Sequence, residues 1–391
     1  MNNSILAADH AAGIASDVRT GVSTNQDHRE AVNELVEQMF QPDAALVVVF
    51  VSPHYHLEEL GPIFKDAFPG CPVIGCSTAG EITPNGYSNN SITGFSISGR
   101  HSQVTTYVID SLVNVNPLSV QAMSEDAQKR ITSFRQNNIG ADEFALFLVD
   151  GMSGAEEKTV ALVHQALKNV PLVGGSAGDN LKFEQSWVLI DGEFRSDTAV
   201  IALVSTVLPF EIFKTQHFLP TETKMVITEA DLTTRTVYEI NGLPAAEEYA
   251  RLIGLKSDEL VPDVFSRYPI MLEIGGEYYV RSLQKKNADG SLTFYCAIDN
   301  GLVLTIARGV DMVENLEQTL HDISARLRNP QLLITCECVL RRLEVLKDNI
   351  TRQVDELLKT HNAIGFHSYG EQFNAIHVNQ TFTGVMLGKK R

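Results

Sequence analysis

The chain carries one sequence pattern three times, and this repetition limits the folds that it can adopt. Residues 72–94 read PVIGCSTAGEITPNGYSNNSITG, and residues 363–384 repeat the pattern as AIGFHSYGEQFNAIHVNQTFTG at an offset of 290. A shorter copy, PLVGGSAGDN at 171–180, follows the first at an offset of 99, which becomes 98 because its loop lacks one residue. Each copy runs from an apolar strand into a small-residue loop that ends in glycine and an acid. Because loops at strand ends often carry binding groups, the three loops are predicted to form the working site.

The apolar runs before each copy predict an α/β fold. Residues 45–51, ALVVVFV, are apolar without alternation, which is typical of a strand covered on both faces of a sheet. Strands at 144–149 and 332–339 open the other two copies, and the third is predicted to continue into one long helix through 343–357. A strand-helix-strand unit of this length predicts parallel strands. We therefore predict mixed sheets flanked by helices, with three such units, each extended by antiparallel strands such as WVLIDGEF within its own sheet.

Changes of pattern along the chain predict its domains. The first 26 residues are polar and aperiodic, and we expect an arm that frays or becomes ordered only on contact. Between residues 224 and 309, short strands separated by turn signals predict a strand-rich insertion in the second half, before the third copy. The predicted domains are an arm (1–26), a first domain with two copies (27–221) and a second domain (222–391).

Composition and charge exclude several classes of partner. The formal net charge of −17 argues against nucleic acid and anionic membranes, which would repel the chain. The densest apolar stretches are shorter than the roughly 20 residues of a membrane-spanning helix, so no membrane insertion is expected. The first residues lack a basic leader followed by an apolar run, which favours a cytoplasmic protein. Five cysteines without a CxxC pair predict reduced thiols.

Several motifs together resemble the FIST family of bacterial sensory proteins. These are IGCSTAGEI at 74–82, EINGLPAAEEY at 239–249, GFHSYGEQF at 365–373 and HVNQTFTG at 377–384. The resemblance implies a FIST N domain over 27–221 and a FIST C domain over 222–391. It further implies a non-catalytic intracellular sensor of small ligands that acts in signal transduction.

Within that family, the chain resembles the nitric-oxide-sensing haemoproteins called NosP. That resemblance implies a b-type haem, nitric oxide as the gaseous ligand, and a partner histidine kinase of a two-component system. It also implies regulation of cyclic-di-GMP and biofilm signalling. The sequence does not decide whether the protein forms a homo-oligomer.

Two histidines of the third copy are the candidates for the haem iron. His377 is preferred as the axial ligand, because Ile376, Val378 and Phe382 would give it an apolar shell. His367 is the second candidate, and Tyr369 would stack on or hydrogen-bond to a distal ligand. For either histidine alone, a solvated loop position or one hydrogen bond within a strand is the commoner case.

A receptor for an amino acid or a similar metabolite, without haem, is the alternative. The acids Glu81, Asp179 and Glu371 argue against a phosphate loop, since they would repel a phosphate. They would accept hydrogen bonds from loop N–H groups or bind the ammonium group of a ligand. The candidate ligand-loop residues are Gly75, Cys76, Ser77, Gly80, Glu81, Gly370, Glu371, Asn379, Gln380 and Thr381.

A third reading makes Cys76 the nucleophile of an enzyme, with loop amides as an oxyanion hole. The other copies have Gly175 and Phe366 at this position, so the cysteine is not part of the shared pattern. We therefore expect the protein not to be an enzyme.

Overall fold

Three similar α/β repeats and one strand-rich insertion make up the chain. The computed structural model describes residues 16–168, 170–327 and 329–390. In that part of the chain, three six-stranded sheets are flanked by helices and a fourth sheet lies in the insertion. The predicted α/β class, with mixed sheets, three strand-helix-strand units and a strand-rich insertion, is confirmed.

The first repeat shows why the continuous apolar runs form strands. It comprises β1 (Val18–Ser23), α1 (His28–Met39), β2 (Ala44–Val51), α2 (Leu57–Ala67), β3 (Val73–Ser77), β4 (Glu81–Thr83), β5 (Gly86–Ser88) and β6 (Ile92–Ser98). In β2, Val48 and Phe50 enter a core shared by all three repeats. Val47 and Val49 enter a second core beneath the helices. Both faces of the strand are covered, which is why its β-branched run does not alternate with polar residues.

The second repeat follows the same order. It comprises β7 (Ser102–Asp110), a 3-10 turn (Leu112–Asn114), α3 (Pro117–Asn137), β8 (Asp142–Val149), α4 (Glu156–Ala166), β9 (Leu172–Ser176), β10 (Val188–Ile190), β11 (Glu193–Arg195) and β12 (Thr198–Thr206). Asn116 begins α3 by accepting the backbone N–H of Leu118 at 3.0 Å. Pro117 then occupies the first helical position, where its missing N–H costs nothing.

The third repeat is interrupted after its first strand by the inserted unit (218–309). The strand is β13 (Phe210–Thr215), and the inserted unit comprises β14 (Phe218–Asp231), β15 (Thr236–Ile240), β16 (Leu243–Pro244), α5 (Ala245–Leu252), a 3-10 turn (Ser257–Glu259), α6 (Pro262–Arg267), β17 (Ile270–Ile274), β18 (Glu277–Arg281), β19 (Leu283–Lys286), β20 (Leu292–Phe294) and β21 (Val303–Gly309). The unit has a core of its own, where Tyr249 and Phe265 pack with Ile227. Strand β14 crosses the predicted domain limit at 221–222.

The third repeat resumes after the inserted unit. It comprises α7 (Met312–Leu327), β22 (Pro330–Cys338), α8 (Val339–Lys347), α9 (Thr351–Thr360), β23 (Ala363–Ser368), β24 (Glu371–Phe373), β25 (Ile376–Val378) and β26 (Phe382–Gly388). The prediction of one long helix through 343–357 is wrong. Asn349 adopts a left-handed φ of 55°, which ends α8 and lets α9 begin in a new direction.

Each repeat supplies one parallel strand pair and passes its hairpin to a neighbouring sheet. The pairs β2–β3, β8–β9 and β22–β23 are parallel, as predicted. The hairpin β10–β11 pairs with β3 of the first repeat, so the prediction that WVLIDGEF stays in its own sheet is wrong. Likewise β4–β5 pairs with β23, and β24–β25 pairs with β9. The strand orders are β1-β6-β2-β3-β10-β11 (first sheet), β25-β24-β9-β8-β12-β7 (second sheet) and β13-β26-β22-β23-β4-β5 (third sheet).

One hydrophobic core lies where the inner faces of the three sheets meet. Phe50 of the first repeat stacks on Phe366 of the third with ring centroids 4.8 Å apart. Leu146 of the second repeat belongs to the same core. Helices α1 and α2, α3 and α4, and α7 to α9 cover the outer faces of the first, second and third sheets. Among the described helices, none is long and apolar enough to cross a membrane.

The three repeated loops contact one another at the points where the hairpins leave their sheets. The backbone N–H of Ala79 donates to the carbonyl oxygen of His367 at 2.9 Å, and the backbone N–H of Tyr369 donates to the carbonyl oxygen of Ser176 at 3.1 Å. Gly178 donates to the carbonyl of residue 77 at 3.0 Å, which closes the ring of contacts. The loops therefore join the three repeats to each other.

Part of the predicted arm is regular structure. Strand β1 pairs antiparallel with β6 over residues 18–23 at the edge of the first sheet, so these residues are ordered by contact, which is one of the two states expected for the arm. The main-chain bonds to β6 supply this order. Residues 1–15 lie outside the described part of the chain.

Candidate ligand-binding site

A cavity of about 300 Å³ lies where the second repeat, the third repeat and the inserted unit meet. The second repeat lines it with the loop after β8 and with Phe183. The third repeat contributes the first turn of α8 and the hairpin β24–β25, and the inserted unit contributes Arg235 and Tyr295. Concave sites between structural units, with aromatic walls and a few polar groups, are the usual places for small ligands.

The structure brings together three of the residues that the sequence singled out. His377, Tyr369 and Asn379 all line this cavity. His367 lies elsewhere, fully buried on the third sheet with its ring against Tyr87 and its Nδ1 3.5 Å from Glu337. The two histidines proposed for one site are therefore in different places.

His377 is held with its ring against the backbone of Gly370. A Cβ on residue 370 would lie 2.5 Å from Nε2 of His377, so a larger residue there would displace the ring. The side-chain amide of Gln372 donates to Nδ1 of His377 at 3.1 Å, which leaves the ring proton on Nε2. Burial lowers the pKa of His377 to about 4, so the imidazole is neutral near pH 7.

Tyr369 and Asp179 shape a loop that carries an aromatic ring over the cavity. The hydroxyl of Tyr369 donates to Oδ1 of Asp179 and accepts the backbone N–H of Leu181 at 2.8 Å. The Asp179 carboxylate also accepts three successive backbone N–H groups, of which the first belongs to Phe183 at 2.9 Å. Burial raises the pKa of Asp179, but these hydrogen bonds outweigh it and lower the pKa below its usual value. Phe183 thereby stacks on Tyr369 with ring centroids 4.6 Å apart.

Charged groups and polar atoms without hydrogen-bond partners also line the cavity. Oε2 of Glu156 lies 3.7 Å from a guanidinium nitrogen of Arg235, which is a charge contact but too long for a hydrogen bond. Oε2 of Glu156 and Oδ1 of Asn379 are buried and have no hydrogen-bond partner among the described residues. Burial raises the pKa of Glu156 to about 7. Unpaired buried acceptors are costly, so these two atoms indicate positions where a ligand or water donates.

The acids of the first and third motifs hold their loops together and do not line the cavity. Glu371 accepts hydrogen bonds from the hydroxyls of Ser368 and Thr381, both at 2.6 Å, and from the backbone N–H of Thr381. Glu81 makes the same contacts with the residues 290 positions earlier. Burial raises the pKa of Glu81 to about 7 and that of Glu371 to about 8, so near pH 7 each carboxyl is protonated in a large share of the molecules and can then also donate to a neighbouring hydroxyl.

The remaining candidate loop residues also lie in the interior: Gly75, Cys76, Ser77, Gly80, Gln380 and Thr381. Cys76 is fully buried in the core shared by the three sheets, and burial raises the pKa of its thiol well above the usual value. A protonated thiol that solvent does not reach is not placed to act as a nucleophile. Ser77 accepts the backbone N–H of Trp187 at 2.9 Å, which anchors hairpin β10–β11 to the first sheet.

Two family models match the chain one after the other. The FIST N domain model matches residues 45–243, and the FIST C domain model matches residues 245–374. This chain belongs to the FIST family. The family predicted from the motifs is therefore confirmed, and FIST domains are small-ligand-sensing domains of signalling proteins. The two matches meet inside the inserted unit.

A relative of this FIST protein is found in Methanocaldococcus jannaschii. It is the uncharacterized protein MJ1623, which is 23% identical to this chain. The similarity covers 88% of this chain and 73% of the relative. The similarity thus extends over most of both proteins.

The residues around the FIST cavity do not fit haem in the arrangement described. The cavity volume is at the lower limit of the roughly 300–1,000 Å³ of ligand pockets, and Glu156 and Arg235 add charge to its walls. Iron would bind the lone pair of Nε2 of His377, but Gln372 leaves the proton on that atom. Rotating the Gln372 amide, whose Oε1 has no partner in the described chain, would reverse these roles. We therefore derive no step that passes through haem.

Motif analysis missed Arg235 and Phe183, which complete the FIST site. Arg235 lies immediately before β15 in the inserted unit, where no repeat or spacing marks it. Phe183 follows the second Gly-acid motif by four residues, and that motif is the one signal that could have indicated its loop.

Proposed function

We propose that this FIST protein is a non-catalytic receptor for an amino acid or a similar small polar metabolite. The observation that carries the proposal is the placement of two unpaired buried acceptors, on Glu156 and Asn379, in one cavity with aromatic rings. A few fixed polar groups within apolar walls are what orients a small ligand.

The size and charges of the cavity support a ligand of this class. At about 300 Å³ the cavity is at the small end of the range for ligand pockets, which suits an amino acid better than a large cofactor. Arg235 can face a carboxylate, while Glu156 and Asn379 can accept from an ammonium group. Phe183 and Tyr295 supply the apolar walls.

The position of the cavity gives binding a route to a signalling partner. Arg235 and Arg281 of the inserted unit contact the second repeat, through the carbonyl of Gly154 at 3.2 Å and Oε1 of Glu157 at 2.7 Å. A ligand seated beside these contacts favours one arrangement of the inserted unit over another, which is what a sensor requires. A histidine kinase is the partner that the family resemblance suggests.

We expect ligand affinity to rise with pH up to about 7 and then level off. Burial raises the pKa of Glu156 to about 7, with Arg235 lowering it and Glu157 and Asp150 raising it less strongly. Below pH 7, Glu156 must lose a proton to bind an ammonium group, so affinity falls by up to about tenfold per pH unit. Calorimetric titration of the full chain with a panel of amino acids at pH 5.5 to 8.5 measures this.

A pair of substitutions separates this effect from general pH dependence. Glu156→Gln should lower the affinity above pH 7 and remove the slope below it. Glu125→Gln, at an exposed position on α3, should leave both unchanged. If no amino acid changes the heat of mixing or the unfolding temperature, or if Glu156→Gln keeps the slope, the proposed receptor function is contradicted.

Haem and nitric oxide stay a prediction of the family resemblance, and they require His377 to present Nε2 without a proton. The visible spectrum of the protein purified with added haem tests them. A Soret band that His377→Ala removes and His367→Ala leaves unchanged would support haem at this cavity. Reconstituted protein without a Soret band would exclude it.

A further inference from the structure

The third sheet carries a counterpart of the cavity site. The offset of 290 that relates the first and third copies also relates Tyr87 to His377 and Asn89 to Asn379. Hairpin β4–β5 joins the third sheet beside β23, just as β24–β25 joins the second sheet beside β9. Two equivalent hairpins, β4–β5 and β24–β25, therefore pair with two equivalent strands, β23 and β9.

In the third-sheet counterpart, a side chain of the protein occupies the place of a ligand. The guanidinium of Arg342 donates to the carbonyl oxygen of Ala79 and to Oδ1 of Asn89. It lies against Gly80, where a Cβ would be 2.6 Å from its Nη1. This group satisfies the amide oxygen that corresponds to the unpaired Oδ1 of Asn379.

In the second-sheet site, no group of the described residues donates to Oδ1 of Asn379. The guanidinium of Arg235 lies in the same cavity, but it donates to the carbonyls of Gly154 and Tyr295. Arg342 lies eight positions after Ile334 of β22, and the residue eight positions after Leu146, the equivalent residue of β8, is Gly154. A Cβ built on Gly154 would have no heavy atom within 4 Å. Gly154 lies in the loop before α4 and Arg342 lies on α8, so by this count the second repeat carries no side chain where the third repeat carries Arg342.

We propose that the ligand of the cavity carries a guanidinium group, as L-arginine does, and that this group donates to Oδ1 of Asn379. The ligand guanidinium would donate to Asn379 as the guanidinium of Arg342 donates to Asn89 on the third sheet. Because the His377 ring covers Gly370, the ligand group lies beside that ring and not against the glycine. Oε2 of Glu156 lies in the same cavity, where it faces Arg235 at 3.7 Å and has no hydrogen-bond partner among the described residues. The inference rests on the proposed receptor function and specifies its ligand.

The test is calorimetric titration of the full chain with L-arginine and with L-citrulline, which has the same shape but no charge. We expect L-arginine to bind at least about tenfold more tightly, because charged donors form the stronger hydrogen bonds. Asn379→Leu should remove that preference. Asn89→Leu, the matched change in the third-sheet counterpart, should keep it.

A second pair of variants covers the case in which Asn379→Leu does not fold. Asn379→Asp keeps the shape of the side chain and should hold or raise the preference for L-arginine. Gly154→Arg would supply an internal guanidinium and should weaken L-arginine binding by about tenfold or more, as a built-in competitor. Gly154→Ala places the same backbone strain at this φ of 68° without a guanidinium, so it should weaken L-arginine binding clearly less than Gly154→Arg does.

The outcomes separate the two proposals. Equal affinity for L-arginine and L-citrulline, lost together in Asn379→Leu, would overturn the guanidinium and retain a receptor at this cavity. Binding of amino acids with uncharged side chains, without binding of L-arginine, would likewise overturn the guanidinium and retain a receptor at this cavity. Failure of the whole amino-acid panel would overturn both proposals.

Discussion

Gly365→Ala should lower the free energy of unfolding by about 3 kcal/mol or more, because the added methyl group meets backbone atoms that cannot rotate away. A Cβ on residue 365 would lie 1.8 Å from the carbonyl oxygen of Thr335 on the parallel neighbour β22. Gly174 makes the same 1.8 Å approach in the second repeat, and Gly75 a 2.0 Å approach in the first. Urea denaturation followed by circular dichroism measures the loss. The shared glycine is thus explained by close packing of two strands.

Gly309→Ala is the matched control for this prediction. A Cβ there would first meet the ring of Phe218, at an ordinary 3.8 Å, and the backbone is not left-handed. Its cost should stay below about 1 kcal/mol. Equal unfolding midpoints for the two variants would contradict the strand register described here.

Arg341→Ala should lower the free energy of unfolding by about 3–5 kcal/mol, since it leaves a buried carboxylate without its counter-charge. Nε of Arg341 donates to Glu337 at 3.2 Å, and Nη1 donates to Nδ1 of His217 at 2.8 Å. The side chains of Arg341 and Glu337 are both fully buried. Because Arg341 belongs to the first turn of α8, which also lines the cavity, we expect the same variant to weaken ligand binding.

An exposed ion pair of the same kind provides the comparison. Arg352 and Glu356 are four residues apart on α9 with most of their side chains in solvent. Arg352→Ala should cost less than about 0.5 kcal/mol. If thermal unfolding shows that Arg341→Ala costs no more than Arg352→Ala, the pair formed by Arg341 and Glu337 is not isolated from water. Adding Glu337→Gln to Arg341→Ala should recover part of the lost stability.

The repeats predicted the strand pairs but not the sheet to which each hairpin belongs. The segment WVLIDGEF indicates two short strands around a turn at Asp191 and Gly192, and it would read the same beside β9 or β3. The choice depends on contacts between distant residues, such as that of Trp187 with Ser77. Local periodicity carries no information about these contacts.

The sequence placed His377 and Tyr369 in one site, but it did not separate them from His367. Alternation along β23 contains the missing signal: Phe366 enters the shared core, so His367 must face the other side of the sheet, beside Glu337. Arg235 could not have been predicted in this way. Its place in the cavity depends on how the inserted unit packs against the second repeat.

The exchange of hairpins determines when the binding site can first exist during synthesis. The strands β8 and β9 leave the ribosome long before residues 371–378, which form the hairpin that covers the free edge of β9. Until then the nascent chain presents an unpaired strand edge next to the future cavity, a surface on which chaperones act and aggregation begins. A chain that ends before the third repeat therefore lacks both the hairpin that lines the cavity and the protection of this edge.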